Sequence, residues 1–326
     1  MPTPEPFGAR LDDVVVRYGR ATPAQEPAHD PGQRDAATAL AGATVAFRPG
    51  VITGVLGRNG AGKTTMLQLL AGLTRPTSGT VVVGPEGALG DPWEDARLTS
   101  GTQLVRESGD LMEDERVRTS LGYYAAVRPC WDEELAGRLL DRFEVDVRKK
   151  PTALSRGKLS AVGATVALAS RAPLTIFDEV YLGMDAPTRY AFYDEILADY
   201  AAHPRTILLS SHLVEEAERL FEDVVVIDRG RVLLAESADE MRSRGFSLTG
   251  PASAVERAAA GRRVLHRQQL GGTVQLTLEG TPDDGELAAA RAAGVEVGGV
   301  GLQDLFVRLT EPRAEHVAPN SKETVR

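Results

Sequence analysis

The sequence is poor in cysteine, in aromatic residues and in long apolar runs. Of its 326 residues one is a cysteine, Cys130, and 5% are aromatic. A single cysteine excludes an intramolecular disulfide and is typical of a reducing compartment. No apolar run approaches the roughly 18 residues that cross a bilayer, and residues 1–5 lack the basic and apolar segments of a secretory signal. These absences favour a cytoplasmic location.

Positive charge is also scarce. Lys and Arg number 37 against 46 Asp and Glu, so the formal net charge is −9. Because proteins that bind nucleic acid normally present a basic surface to its phosphates, we expect no nucleic-acid partner. The apolar content of 42% is ordinary for a globular chain, and the length corresponds to about two domains.

The hydrophobic pattern changes along the chain. Up to about residue 240, short continuous apolar runs alternate with segments of helical periodicity, which predicts an α/β fold with a parallel sheet covered on both faces. We assign residues 10–240 to this first domain. Four further segments are predicted around and within it: a flexible N-terminus at 1–9, a proline-rich loop at 20–37, a mostly helical stretch at about 109–165, and a flexible tail at 311–326.

Residues 246–310 have a different order. Their pattern predicts strand, helix, strand, strand, helix, strand, which is the ferredoxin-like arrangement, and then a helix at 302–309. We therefore predict a small C-terminal α/β domain that serves an accessory or regulatory role.

The strongest local motif is a P-loop, which follows an apolar strand and opens a helix. Its residues are Gly57, Arg58, Asn59, Gly60, Ala61, Gly62, Lys63, Thr64 and Thr65. Glycines let successive backbone N–H groups converge on phosphate oxygens, and the helix start adds its positive dipole end. Lys63 is expected to reach the β- and γ-phosphates, and the Thr64 hydroxyl to bind Mg²⁺.

Two carboxylates follow another apolar strand, at residues 174–177. Asp178 is placed at the edge of the sheet where ligands bind, and can hold Mg²⁺. Glu179 comes next and can position or deprotonate an attacking water. Together with the P-loop, this pair predicts hydrolysis of a nucleoside triphosphate.

Further motifs, in the same order along the chain, resemble those of ABC ATPases over residues 10–235. They are Tyr18-Gly19, like the aromatic loop that stacks on adenine; Leu154-Ser155-Arg156-Gly157-Lys158, like the signature peptide; Gly183-Met184-Asp185, like the D-loop; and Ser210-Ser211-His212, like the switch histidine. The sequence is thus similar to ATP-binding subunits of ABC transporters, in an exporter-like branch.

The resemblance implies ATP and Mg²⁺ as ligands and a cassette with a RecA-like core, an antiparallel β subdomain and a helical subdomain. Lys63, Glu179 and His212 would be catalytic, and Tyr18 would contact adenine. Ser155, Arg156 and Gly157 would complete the ATP site of a partner cassette, and Asp185 would connect the two sites.

The sequence departs from the family pattern at three positions. Arg156 and Lys158 replace the usual Gly and Gln of the signature, and Val180 replaces the proline after the catalytic Glu. The Q-loop residue is either Gln103, expected inside a strand, or Glu107, expected at its end. We favour Glu107 as an ATP-site residue for that reason.

The resemblance also implies partners and a location. The chain would act on the inner face of the cell membrane, docked through its helical subdomain on separate permease subunits, and would pair as a homodimer or a heterodimer. Tyr123, Tyr124 and Trp131 either line the groove for the permease or belong to the core. The expected function is ATP-driven export of a drug, peptide or lipid-like substrate. The alternatives are a non-transport ABC ATPase and a degenerate cassette that binds ATP without hydrolysing it.

Overall fold

A computed structural model of the chain describes residues 5–19, 37–107, 110–211 and 213–310. The chain divides into two compact units, Met1–Arg244 and Gly245–Arg326. Most of the predicted proline-rich loop and the whole predicted C-terminal tail lie outside the described residues, as does His212.

The first part of unit 1 is rich in strands. Its elements are β1 (Gly8–Tyr18), β2 (Ala37–Phe47), β3 (Ile52–Leu56), α1 (Lys63–Leu70), β4 (Ser78–Gly84), α2 (Ala96–Ser100) and β5 (Thr102–Arg106). β1 begins at Gly8, whereas the predicted flexible N-terminus runs to residue 9. The reason is that Ala9 is buried and pairs with Phe47 on one side and Val83 on the other.

Three helices follow. They are α3 (Val117–Val127), α4 (Glu133–Arg142) and α5 (Arg156–Ser170). The Asp132 side chain accepts a hydrogen bond from Leu135 N and so caps the start of α4. α5 extends past the predicted end of the helical stretch at 165, because every residue from Ser160 to Ser170 is buried. Its second half therefore belongs to the core of the unit.

The remainder of unit 1 returns to alternating strands and helices. Its elements are β6 (Leu174–Asp178), α6 (Ala186–Ala202), β7 (Thr206–Ser211), α7 (Val214–Ala217), β8 (Asp223–Asp228), β9 (Arg231–Ser237) and α8 (Ala238–Arg242).

The main sheet of unit 1 has the strand order β5-β6-β7-β3-β8-β9. All neighbours are parallel except β8 and β9. Every residue of β3, β6 and β7 is buried, as expected for central strands with both faces covered. In register, Leu56 lies beside Ser211, and Asp178 lies beside Ser210. The carboxyl ends of β3, β7 and β6 therefore meet at one edge, where ligands bind in such sheets.

A second sheet in unit 1 is antiparallel, with the order β2-β1-β4. Its inward side chains, among them Leu11 and Leu40, share one apolar core with Met66 of α1 and Leu208 of β7. Unit 1 therefore combines a parallel core, an antiparallel sheet and a group of helices. The predicted α/β P-loop cassette fold is confirmed.

Unit 2 has an antiparallel sheet with helices. Its elements are β10 (Gly245–Pro251), α9 (Ala252–Ala258), β11 (Val264–Leu270), β12 (Thr273–Glu279), α10 (Asp284–Ala292), β13 (Glu296–Gly299) and α11 (Leu302–Thr310). The strand order β11-β12-β10-β13 and the element order are those of a ferredoxin-like domain. Its core joins Phe246, Leu248 and Leu278 of the sheet to Val255 of α9 and Ala290 of α10.

None of the helices in the described parts of the chain has the length and apolar character needed to cross a membrane.

Candidate active site

The P-loop, residues 57–65, connects β3 to α1. Gly60 and Gly62 have φ values of +78° and +107°, which favour glycine. A Cβ at position 62 would lie 2.6 Å from the carbonyl oxygen of Ala39, so the loop also packs too closely for a side chain there. The loop thus delivers the N-terminus of α1, with its free N–H groups, to the carboxyl edge of the sheet. This is an anion-binding arrangement.

A cavity of about 350 Å³ lies over this loop. It is lined by Ala39, residues 59–65 and Glu179. The side chain of Lys63 is 5% exposed; its Nζ donates to the carbonyl oxygen of Gly57 at 2.8 Å and lies 3.1 Å from Oε1 of Glu179. The structure thus brings the P-loop lysine and the predicted catalytic carboxylate together.

Asp178 ends β6 and is 5% exposed. Ser210 Oγ donates to its Oδ1 at 2.7 Å, and the Thr64 side chain is also hydrogen-bonded to it. Burial raises the pKa of Asp178 above its ordinary value, and the hydrogen bonds from Ser210 and Thr64 partly oppose that rise. A hydroxyl and a carboxylate oxygen at this point suit Mg²⁺, which prefers oxygen ligands and is usually held by one or two carboxylates plus substrate phosphates.

Glu179 follows directly and has an unusual backbone. Its φ is +53°, in the left-handed region, and its N–H donates to Ser210 Oγ at 3.0 Å. A 3₁₀ turn, Val180–Gly183, comes next. This sharp reversal at the strand end places the Glu179 side chain at the cavity, where it is 22% exposed.

Tyr18 lies at the end of β1, beside the P-loop helix. Its side chain is exposed, and its hydroxyl lies within hydrogen-bond distance of Thr65 Oγ1, at 3.4 Å. The hydroxyl end of the Tyr18 side chain is therefore next to the start of α1.

The two Q-loop candidates differ in position. Gln103 is 2% exposed inside β5, and its Nε2 donates to the carbonyl oxygen of Leu104 at 2.9 Å. Glu107 follows the end of β5, and its carbonyl oxygen accepts from Ser160 Oγ at 3.4 Å. Since Arg106 lies in register with Asp178, Glu107 is at the same edge of the sheet as the carboxylates. Both residues have the positions that the sequence predicted, and the choice of Glu107 as the ATP-site residue stays a prediction.

The signature residues lie at the start of α5. Ser155 caps the helix by accepting from Lys158 N at 3.3 Å, and both Ser155 and Arg156 are exposed. Gly157 packs on the 3₁₀ turn, because a Cβ there would lie 2.7 Å from the carbonyl oxygen of Gly183. Within the described residues, no hydrogen bond or ion pair joins Ser155, Arg156 or Gly157 to the P-loop of the same chain.

Lys158, one of the departures from the family pattern, bonds within the chain. Its Nζ donates to the carbonyl oxygen of Phe143 at 2.5 Å and lies 3.6 Å from Glu144 Oε2. The Lys158 ammonium therefore lies at the C-terminal end of α4, where a positive charge interacts favourably with the helix dipole.

Asp185 lies at the start of α6. Its side chain accepts a hydrogen bond from Thr188 N at 3.0 Å. Hydrogen bonds from the side chain and the backbone of Thr188 lower the pKa of the Asp185 carboxyl group. The predicted role of His212 has no structural description, since that residue is outside the described ranges.

Two residues at the site belong to motifs named from the sequence, the switch-histidine motif and the D-loop motif, but had no role of their own there. Ser210 contacts both Asp178 and Glu179, and Gly183 is the packing partner of the signature helix. For Ser210 the available signal was a pair of polar residues closing an apolar strand. For Gly183 the D-loop motif gave the position but not the contact, because the contact joins segments about 25 residues apart in sequence.

These features define a class of protein. A P-loop nucleotide hydrolase has this set of features: a glycine-rich loop after a buried parallel strand, a Lys-Thr pair at a helix start, and two carboxylates at the same sheet edge.

Comparisons with known proteins give the family. A family model described as ABC transporter matches residues 40–181. The chain is 32% identical over 197 residues to the aliphatic sulfonates import ATP-binding protein SsuB of Escherichia coli (strain K12), spanning 60% of this chain and 73% of that protein. It is 34% identical over 199 residues to the Nod factor export ATP-binding protein I of Cupriavidus metallidurans, spanning 60% of this chain and 64% of the relative.

Solved structures share the fold. One is the ATP-binding cassette MJ0796, in a dimeric post-hydrolysis state bound to ADP and Pi, with a TM-score of 0.58, 20% sequence identity, and coverage of 71% of this chain and 98% of that one. Another is an ATP-binding subunit of an ABC transporter, with a TM-score of 0.57 and 24% identity over 72% of this chain and 91% of that one.

The chain belongs to the ABC transporter family, as an ATP-binding protein of that family, and it is an ATPase that binds nucleotide. The resemblance inferred from the motifs is confirmed. The relatives include an import and an export protein, so they do not distinguish between the two directions of transport.

Proposed function

We propose that this chain hydrolyses ATP at the site formed by the P-loop, Asp178 and Glu179, and thereby drives export through separate membrane subunits. The observation that carries the proposal is the 3.1 Å ion pair between Lys63 and Glu179 at the wall of the P-loop cavity. It brings a phosphate-binding cation and a candidate general base to one place. The γ-phosphate of ATP and an attacking water have to meet at such a point.

The chain's own residues divide the work of binding ATP. The backbone N–H groups of residues 57–65 hold the phosphates at the start of α1, and Lys63 adds its charge. The Tyr18 ring stacks on adenine, which its exposed position beside Thr65 supports. Glu107, at the sheet edge, completes the surroundings of the phosphates.

Thr64 and Asp178 are the residues proposed to hold Mg²⁺. When bound, Mg²⁺ neutralises negative charge on the β- and γ-phosphates. A site shared with the nucleotide suits these two residues, because Mg²⁺ is usually held by one or two carboxylates together with substrate phosphates.

Glu179 is proposed to orient and deprotonate the attacking water. Since the Lys63 ammonium now lies beside the Glu179 carboxylate, an incoming phosphate competes with that carboxylate for the same cation. Release of Glu179 from Lys63 frees the carboxylate to accept a proton. His212 is proposed to contact the γ-phosphate, and this role depends on the sequence motif alone.

Ser155, Arg156 and Gly157 are proposed to act on the ATP of a partner cassette, with Asp185 linking the two sites. Their support is the exposure of Ser155 and Arg156 at the start of α5, where a hydroxyl, a guanidinium and helix N–H groups favour an anion. The dimeric state of the related cassette MJ0796 agrees with such pairing. Native mass spectrometry of the purified transporter distinguishes a homodimer from a heterodimer.

The permease is proposed to dock on the helical part of unit 1. There Met112, Tyr123 and Val127 are large apolar side chains that are 56%, 48% and 63% exposed. Tyr124 is more buried, and its hydroxyl donates to the carbonyl oxygen of Asp110 at 2.9 Å. The proposed location is therefore the inner face of the cell membrane.

One experiment tests both the direction of transport and the class of substrate. The chain is purified with the membrane protein that accompanies it and reconstituted in inside-out vesicles. Drug, peptide or lipid-like compounds added outside these vesicles should stimulate ATP hydrolysis and accumulate within. Stimulation from the lumen alone would indicate import. Reproducible association with ribosomes or DNA and no membrane partner would indicate a non-transport ABC ATPase.

Unit 2 is proposed to stabilise the dimer or to regulate hydrolysis. Its separate core and ferredoxin-like order support an independent role. Removing residues 246–326 should change the ATPase rate or the oligomeric state. If neither changes in a folded variant, this role is wrong.

A further inference from the structure

Ser210 occupies a special place in the main sheet. It lies near the carboxyl end of β7, the strand between β6, which carries Asp178, and β3, which leads into the P-loop. The side chain is fully buried. Because Ser210 lies in register with Asp178, the two side chains meet at the edge of the sheet where the site is built.

The Ser210 hydroxyl uses both of its hydrogen-bonding functions at the site. Its single proton goes to Oδ1 of Asp178, at 2.7 Å, and its oxygen accepts the N–H of Glu179, at 3.0 Å. A hydroxyl can donate one bond and accept another, whereas an aliphatic side chain can do neither. One atom of Ser210 therefore fixes two consecutive residues of the site.

Each of these two bonds has a geometric consequence. The bond to Asp178 holds one carboxylate oxygen, so the rotation of that carboxylate relative to Thr64 is restricted. The bond from Glu179 N–H stabilises a backbone with φ of +53°, which a non-glycine residue seldom adopts without support. That backbone directs the Glu179 side chain to Lys63.

We propose that Ser210 is a positioning residue for ATP hydrolysis: its hydroxyl sets the Asp178 carboxylate for the metal and the turn at Glu179 for the attacking water. The inference rests on the proposed roles of Asp178 and Glu179. Ser210 itself touches neither nucleotide nor water in this scheme, and it acts through its two partners.

The test uses the full-length chain with Ser210→Ala, which removes the hydroxyl. Ser210→Cys is the second variant, because it keeps the size of the side chain with a much weaker donor and acceptor. Ser170→Ala is the matched control. Ser170 is also a buried serine, but among the described residues its Oγ donates only to the helix carbonyl oxygens of Val166 and Ala167, at 2.7 and 3.1 Å.

Two readouts separate positioning from general loss of structure. In steady-state hydrolysis, Ser210→Ala should lower kcat by about 10- to 100-fold, the range for losing a hydrogen bond to a charged group, while KM for ATP changes little. The second readout needs no turnover. With Glu179→Gln as background, a fluorescent ATP analogue is titrated with Mg²⁺, and Ser210→Ala should raise the Mg²⁺ concentration for half-maximal enhancement of binding by about tenfold. Binding without Mg²⁺ should be unchanged.

The outcomes are distinct. The proposal is overturned if folded Ser210→Ala keeps the wild-type kcat and Mg²⁺ dependence while Asp178→Asn and Glu179→Gln lose activity. It is also overturned if Ser170→Ala shows the same losses. If Ser210→Ala does not fold, Ser210→Cys decides by the same two readouts. Wild-type activity in Asp178→Asn and Glu179→Gln would instead refute the proposed function, and the role of Ser210 with it.

Discussion

Replacing Gly183 by alanine puts a methyl group between the 3₁₀ turn after Glu179 and the start of the signature helix. The added Cβ would lie 2.5 Å from Ser160 Oγ and 2.8 Å from the carbonyl oxygen of Arg156. The Ser160 hydroxyl can rotate away. The Arg156 carbonyl is backbone of the first turn of α5 and cannot, so the turn and the helix must separate.

The magnitude follows from this clash. Overpacking of a close contact costs about 1–3 kcal/mol, and we take about 2 kcal/mol for Gly183→Ala. For a unit of this size that corresponds to a fall in Tm of about 4–8 °C. Because the displaced helix turn carries Ser155 and Arg156, the ATPase rate should also fall at temperatures where the variant is still folded.

Gly137→Ala is the matched control, since Gly137 is an exposed glycine inside α4. In the described part of the structure, a Cβ there meets no heavy atom within 4 Å. Alanine is the better helix former by about 0.8–1.0 kcal/mol, so this variant should be slightly more stable. Calorimetry measures both variants. A transition midpoint for Gly183→Ala that equals the wild type would refute the close contact between the turn and the helix.

Two other substitutions test separate parts of the account. Lys63→Ala removes the P-loop ammonium and should weaken ATP binding. An ATP affinity equal to that of the wild type, measured by calorimetric titration, would contradict the role of Lys63. Glu195→Gln probes a buried carboxylate that is 3% exposed and accepts two 2.9 Å hydrogen bonds from Arg138 and another bond from Arg142. Burial opposes ionisation, but the two arginines outweigh it and lower the pKa of Glu195. The ionised form therefore stabilises unit 1 at neutral pH, and the substitution should cost about 1.5–3 kcal/mol there.

The pH dependence of Glu195→Gln has a definite sign. A folded-state pKa below the ordinary value of 4.5 gives stability that is present above that value and lost as the pH falls through the folded-state pKa. The difference in Tm between wild type and variant should therefore be full at pH 7 and shrink as the pH is lowered below 4.5. A difference in Tm that is the same at pH 7 and well below pH 4.5 would contradict the ionic contribution of Glu195.

The parts of the molecule that local sequence defines could be predicted. The P-loop is one continuous segment whose glycines, lysine and threonine act together, and Asp178 with Glu179 closes a strand recognisable by its apolar run. The ferredoxin-like order of unit 2 was also predictable, because its strands alternate and its turns carry glycine.

Features that depend on contacts between distant segments could not be predicted. Lys158 looked like a departure from a nucleotide-binding motif, yet its Nζ bonds to Phe143, which belongs to the end of another helix. The role of Ser210 depends on the strand order, which places β7 between β6 and β3. Residues 1–9 were predicted to be a flexible end, but Ala9 pairs with Phe47 on one side and Val83 on the other, and both partners are distant in sequence.

The central claim is that Glu179 acts on the attacking water at the P-loop site, and Glu179→Gln tests it most directly. The substitution keeps the size of the side chain and removes its capacity to accept a proton. We expect turnover to fall by about 10²- to 10⁴-fold, the range for general acid–base catalysis, with ATP affinity retained. Hydrolysis by Glu179→Gln at the wild-type rate would contradict the account.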